Sequence, residues 1–181
     1  MAAVSESPPT LVVFGGLPGV GKSAIAQALL TQCPAFYLRI DTIEQALRDS
    51  GELANEVGPA GYLIAYALAQ ANLRQGRVVV ADCVNPLPVT RASWREVAQR
   101  TQSRLLEIEV VCSDRALHRQ RVEARRSEIP GLRPPEWSSV VAHDYRVWTE
   151  PHWVIDSAML SPRQAVVEIM RRLDTPPPNA S

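Results

Sequence analysis

The sequence predicts an α/β fold, a parallel β-sheet covered by helices on both faces, and three observations predict it. Five short apolar runs of β-rich composition alternate with helical segments, the pattern that right-handed β-α-β crossovers produce. A glycine-rich segment joins the first run directly to the first helix. An acidic residue follows each of the other four runs, at the carboxyl edge where such sheets gather ligands.

Taken in order, residues 11–15 read as a buried strand and 22–31 as the first helix. Residues 37–40 form the second strand, ending at Asp41, and 42–49 a short helix. A longer helix over 59–75 is closed by Gly76. The third strand, 77–81, ends at Asp82 and leads to a helix over 88–101. Residues 105–112 are the fourth strand, followed by Asp114 within an arginine-rich helix over 113–128. After the breaks at Pro130-Gly131 and Pro134-Pro135 the pattern predicts a helix over 136–148. The last strand, 153–155, ends at Asp156, and Pro162 opens the final helix at its first turn. Residues 1–10 and 175–181 are proline-rich or small and polar and read as loose tails. That leaves 11–174 as a single domain, a size suited to one core.

Composition narrows the class. The chain has 181 residues, 46% hydrophobic and 21% charged, which is ordinary for a globular protein. No apolar stretch approaches the roughly 20 residues that span a bilayer, so no membrane association is expected. The start MAAVSESPPT lacks the basic and apolar regions of a secretory signal, and a cytoplasmic location is expected. Cys33, Cys83 and Cys112 have no metal-type spacing; Cys83 and Cys112 sit in apolar runs and read as reduced, buried thiols. His118, His143 and His152 are scattered, with no zinc pattern. Nineteen basic and nineteen acidic residues cancel, which argues against a general electrostatic grip on nucleic acid or an anionic membrane. Monomer and homodimer are both open.

The spacing Gly16-x-x-x-x-Gly21-Lys22-Ser23, between an apolar strand and a helix, is a phosphate-binding P-loop in its expected context. Its backbone N–H groups point at phosphate oxygens, and the helix N-terminus behind adds positive charge. The nucleotide-binding residues are therefore Gly16, Leu17, Pro18, Gly19, Val20, Gly21, Lys22, Ser23 and Ala24. Lys22 is suited to the β- and γ-phosphates, and the Ser23 hydroxyl to Mg²⁺. Lys22 is also the only lysine among nineteen cations, so the compact, flexible ammonium is used only where it can reach between phosphate oxygens.

Four further features carry chemistry with a competing structural reading. Val78–Asp82 has the form of an apolar strand ending in a metal-holding carboxylate, though Asp82 could instead cap the next helix. Asp41 could accept the proton of an attacking hydroxyl, or Asp41-Thr-Ile-Glu44 could be a helix-capping arrangement. Arg115, Arg119, Arg121, Arg125 and Arg126 share one helix in this reading, with Arg121 and Arg125 on one face. They form either a solvated face or a lid offering arginines to a transferred phosphoryl group. Tyr62 and Tyr66 share a helical face and line either a substrate pocket or the core.

The combination GLPGVGKS, Asp41 after the second strand, VVVADCVNPLPVTRASW, and the arginine helix followed by WVIDSA resembles the P-loop kinases of the AAA-domain type. These are related to polynucleotide 5′-kinase domains, chloramphenicol phosphotransferase and gluconate kinases. The resemblance covers residues 11–173. It implies a three-layer P-loop NTPase with an adenylate-kinase-like sheet of order 2-3-1-4-5 and a short helical lid at about 119–135. It implies ATP and Mg²⁺ as cofactors, with Lys22 and Ser23 on the triphosphate and metal and Asp41 as general base. Asp82, Asn85 and Arg91 would border the acceptor or metal site, and Arg121 and Arg125 match the lid arginines. Where polynucleotide kinases place an arginine, three residues beyond the basic aspartate, this chain has Glu44. An acid there repels a polynucleotide phosphate, which disfavours a nucleic-acid acceptor. The expected function is an ATP-dependent kinase acting on a small-molecule hydroxyl. The alternatives are a nucleoside, nucleotide or 5′-end kinase, and an ATP-binding switch or ATPase without an acceptor.

Overall fold

The computed structural model describes residues 8–52 and 56–174. Its centre is a five-stranded, all-parallel sheet of order β2-β3-β1-β4-β5, the expected order. The strands are β1 (Thr10–Gly15), β2 (Phe36–Arg39), β3 (Val78–Asp82), β4 (Arg104–Val111) and β5 (Trp153–Asp156). β1 is buried along its whole length, as the central strand of a sheet covered on both faces must be. Successive side chains of a strand point to opposite faces, and β1 divides accordingly. Leu11 and Val13 pack with Ala65, Ala69 and Leu73 of α3 (Ala60–Leu73) and Trp94 and Val97 of α4 (Pro88–Arg100). Val12 and Phe14 pack with Ile25 and Leu29 of α1 (Lys22–Leu30) and Ala165 and Ile169 of α7 (Pro162–Asp174).

Three expectations change. α2 spans Ile40–Asp49, so Asp41 lies in the first turn of a helix and not at the end of a strand. The arginine-rich helix α5 spans only Arg115–Ala124, with Arg125 extended at its C-terminal boundary (ψ 126°). Arg121 and Arg125 therefore do not share a helical face. The helix expected over 136–148 is reduced to α6, Trp137–Val141. Beyond it, Arg146 donates its N–H to Pro86 O at 2.9 Å, and Trp148 is buried beside Gly15. A continued helix would lose both contacts. Of the tails expected at 1–10 and 175–181, residues 1–7 and 175–181 lie outside the described residues; Thr10 belongs to β1. No helix of the described residues is long and apolar enough to cross a membrane.

Candidate active site

The loop between β1 and α1 is held from both sides. Gly16 donates to Val84 O at 2.9 Å, tying the exit of β1 to the exit of β3. At Gly16 (φ 135°) a Cβ would lie 2.2 Å from Val110 O, so only glycine lets the loop pass this close to β4. α5 lies over the loop: His118 Nε2 donates to Pro18 O at 2.8 Å, and a Cβ on Gly19 would meet Val122 at 2.4 Å. Leu17 and Val20 anchor the loop from beneath, in the core shared by α1 and α7. Lys22 is buried and folds back, its Nζ donating to Gly16 O (2.7 Å) and Leu17 O (2.9 Å). Burial lowers its pKa from the ordinary lysine value, while Asp82 and Asp41 oppose that shift.

This loop forms one wall of a cleft of about 540 Å³. Pro18, Gly19, Gly21, Lys22, Ser23 and Ala24 line it, opposite Asp41, Asp82, Arg121 and Arg125. Most of the expected site residues thus meet in one cavity. Asp41 Oδ2 lies 3.8 Å from a terminal nitrogen of Arg125. α2 has Arg39 as its N-cap with no side-chain cap, so Asp41 is not capping its helix. Its charge instead suits the positive end of α2. Asp82 is buried and accepts a 2.7 Å hydrogen bond from the Tyr37 hydroxyl, with Arg39 Nε 3.9 Å away. The N-cap of α4 is Leu87, so Asp82 does not cap either. The other two strand-end acids have structural partners. Asp114 caps α5 through Leu117 N, and Asp156 accepts from the backbones of Ser113 and Ala158.

Arg121 reaches the cleft from the last turn of α5 and donates to the Ser157 hydroxyl (2.8 Å) and carbonyl (3.2 Å). Ser23 and Asp82 face the same cavity. A hydroxyl and a carboxylate are hard oxygen donors of the kind that Mg²⁺ takes.

Three expected acceptor-site residues lie outside the cleft lining. The Tyr62 hydroxyl accepts the backbone N–H of Asn85 at 2.9 Å. Asn85 is fully buried in a left-handed conformation (φ 52°). Arg91, 2% exposed, donates to the carbonyls of Asn85 (3.1 Å), Pro86 (2.9 Å), Val147 (3.0 Å) and Arg146. Its guanidinium also stacks over the Trp148 ring at 4.4 Å. These residues pin the chain after β3 to the chain before β5. Cys112, expected buried, is half-exposed beside Arg121, whereas Cys83 is buried. Sequence reasoning missed Tyr37, Arg39, Glu128 and Arg133, all at or near the cleft. Tyr37 and Arg39 could have been found from period 2 along β2, since pairing sets Arg39 directly beside Asp82. Glu128 and Arg133 lie in irregular chain and carry no periodic signal.

Residues 11–132 match the profile of a family described as AAA domain. The chain belongs to that AAA-domain family. Among curated sequences, the AAA-domain chain is 30% identical over 109 residues to an uncharacterised protein of Mycobacterium tuberculosis. The match covers 54% of the chain and only 22% of that relative. Among solved structures it is similar to a candidate kinase from Chloroflexus aurantiacus (TM-score 0.73, 17% identity, 93% of this chain and 98% of that one). It is also similar to the APS kinase CysC of Mycobacterium tuberculosis in complex with AMPPNP and APS (0.68, 17%, 93% and 99%). A third likeness is to Kti12 of Chaetomium thermophilum in complex with ADP-AlF3 (0.68, 18%, 91% and 100%). The AAA-domain chain thus has the P-loop kinase fold, and structures sharing that fold hold adenine nucleotides.

Proposed function

We propose that this protein is an ATP- and Mg²⁺-dependent kinase that transfers the γ-phosphoryl group to a hydroxyl of a small molecule. The observation that carries the reading is the convergence of the P-loop, Asp41 and Arg125 on one cleft, with Arg125 and Asp41 3.8 Å apart. Asp41 is the base that takes the proton of the attacking hydroxyl. Before substrates arrive, Arg125 offsets its charge; a triphosphate competes for that guanidinium and releases the carboxylate. Lys22 exchanges the Gly16 and Leu17 carbonyls for phosphate oxygens, and Arg121 and Arg125 stabilise charge spread over the equatorial oxygens. Ser23 and Asp82 would hold the metal, which would supply positive charge to offset that of the phosphate oxygens. Residues 119–135 act as the lid that excludes water from the transferred phosphoryl.

The test is ADP release from Mg-ATP, with and without hydroxylated metabolites, nucleosides, aminoglycosides and 5′-OH oligonucleotides, using Lys22→Ala as the blank. Acceleration by a small hydroxyl compound, absent in the blank, is the expected result. Acceleration by oligonucleotides alone would replace the small-molecule reading, and uniformly slow release would favour a nucleotide switch.

A further inference from the structure

The cleft wall contains a largely buried arginine that lacks a close carboxylate partner among the described residues. Arg39 lines the cleft with a side chain only 10% exposed. Its Nε is buried without a hydrogen bond and lies 3.9 Å from Asp82, while a terminal guanidinium nitrogen lies 3.6 Å from Glu128. Charge-assisted N–H···O⁻ hydrogen bonds measure about 2.7–2.9 Å, so neither acid satisfies it. A buried guanidinium left this way carries a desolvation cost that a better-placed anion would relieve.

The two acids differ. Asp82 is fixed by Tyr37. Glu128 is 71% exposed, comes from the irregular segment 125–135, and among the described residues is otherwise held only by Gln27 Nε2 at 3.2 Å. It is a carboxylate laid loosely over an arginine at the cleft wall, and it is easily displaced. The rest of the wall also favours an anion. Asp41 and Glu44 face Arg125 and Arg48, whereas Arg126 and Arg133 have no carboxylate within 4 Å among the described residues.

Resting on the kinase reading, we propose that the phosphoryl acceptor is a hydroxyl compound bearing an anionic group, a carboxylate or a phosphate ester. That group binds Arg39 by displacing Glu128, which occupies the anion position in the unliganded protein.

The experiment is calorimetric titration of the full chain with inorganic phosphate and, in a second arm, acetate. The protein is first saturated with Mg²⁺ and AMPPNP so that the P-loop is filled. Wild type, Glu128→Gln and Arg39→Gln are compared. The expected result is saturable binding of one anion, at least threefold tighter in Glu128→Gln and at least tenfold weaker in Arg39→Gln. Preference between the arms tells a phosphate ester from a carboxylate. The proposal is overturned if Glu128→Gln binds neither anion, if it binds no more tightly than wild type, or if Arg39→Gln binds as wild type does. Arg39→Lys, which keeps the charge, replaces Arg39→Gln if the latter has lost AMPPNP affinity through misfolding. Absence of AMPPNP binding in wild type would instead count against the nucleotide reading, so the two failures are separable.

Discussion

At the scale of single residues, identical chemistry has been put to different uses by position. Four acids follow strands in the sequence, yet only Asp41 and Asp82 line the cleft, while Asp114 and Asp156 hold backbone amides. Because Asp41 neither caps its helix nor supports the core, Asp41→Asn should keep ATP binding, or tighten it, since Arg125 loses a competing carboxylate. Turnover should fall by about 10²–10⁴, the span general-base catalysis supplies; steady-state kinetics beside nucleotide titration checks both. Unchanged turnover would remove Asp41 as the base. Arg91 is the converse case. Its motif pointed to the acceptor, but its donors go to four carbonyls. Arg91→Leu strands those acceptors in a buried place and should destabilise the fold by about 3 kcal/mol, read by urea denaturation. Unchanged stability with a raised acceptor KM would restore the acceptor role.

At the scale of elements, the decisive features are the loop and the short helices around it. The glycine pattern announced the loop, because a tight anion-binding turn needs backbone conformations and approaches that side chains forbid. Gly16→Ala sets a Cβ against Val110 O in an unfavourable backbone region. It should cost at least about 1–3 kcal/mol from strain alone, seen as a lower urea midpoint at constant m-value, with nucleotide affinity reduced. The extents of α5 and α6 were not legible in the same way. Helical periodicity continues past Ala124, and the ion pair of Arg125 with Asp41 accompanies an extended backbone there. Likewise the docking of Arg146 and Trp148 against the ends of β3 and β1 overrides the helix expected to 148.

At the scale of the whole molecule, stability carries the electrostatic cost of the cleft. Burial raises the Glu44 pKa, against the opposing effect of Arg48. A carboxyl whose folded pKa is raised stabilises the fold fully below its unfolded value, near 4.5, and loses that contribution as pH rises through the folded value. Glu44→Gln should therefore melt higher than wild type at pH 7 and equally at pH 4. The exposed partnership with Arg48 is too weak to reverse the sign. A constant difference across that range would show that the carboxyl pays no such cost. The sheet order also belongs to this scale. It followed from a family resemblance, and parallel pairing of β3 with both β1 and β2 is what gathers the loop, Asp41 and Asp82 at one edge.

The sequence alone determined the α/β class, the P-loop and the candidate carboxylates, because these depend on local signals: strand runs, glycine spacing and residues at strand ends. Tertiary structure decided which acids face the cleft, where α5 and α6 stop, and that Arg91 supports the scaffold. It also revealed Arg39, Tyr37 and Glu128. The reason is physical: whether a buried arginine or carboxylate is structural or open to a ligand depends on which partners lie within about 3 Å, and those partners come from segments distant in the chain.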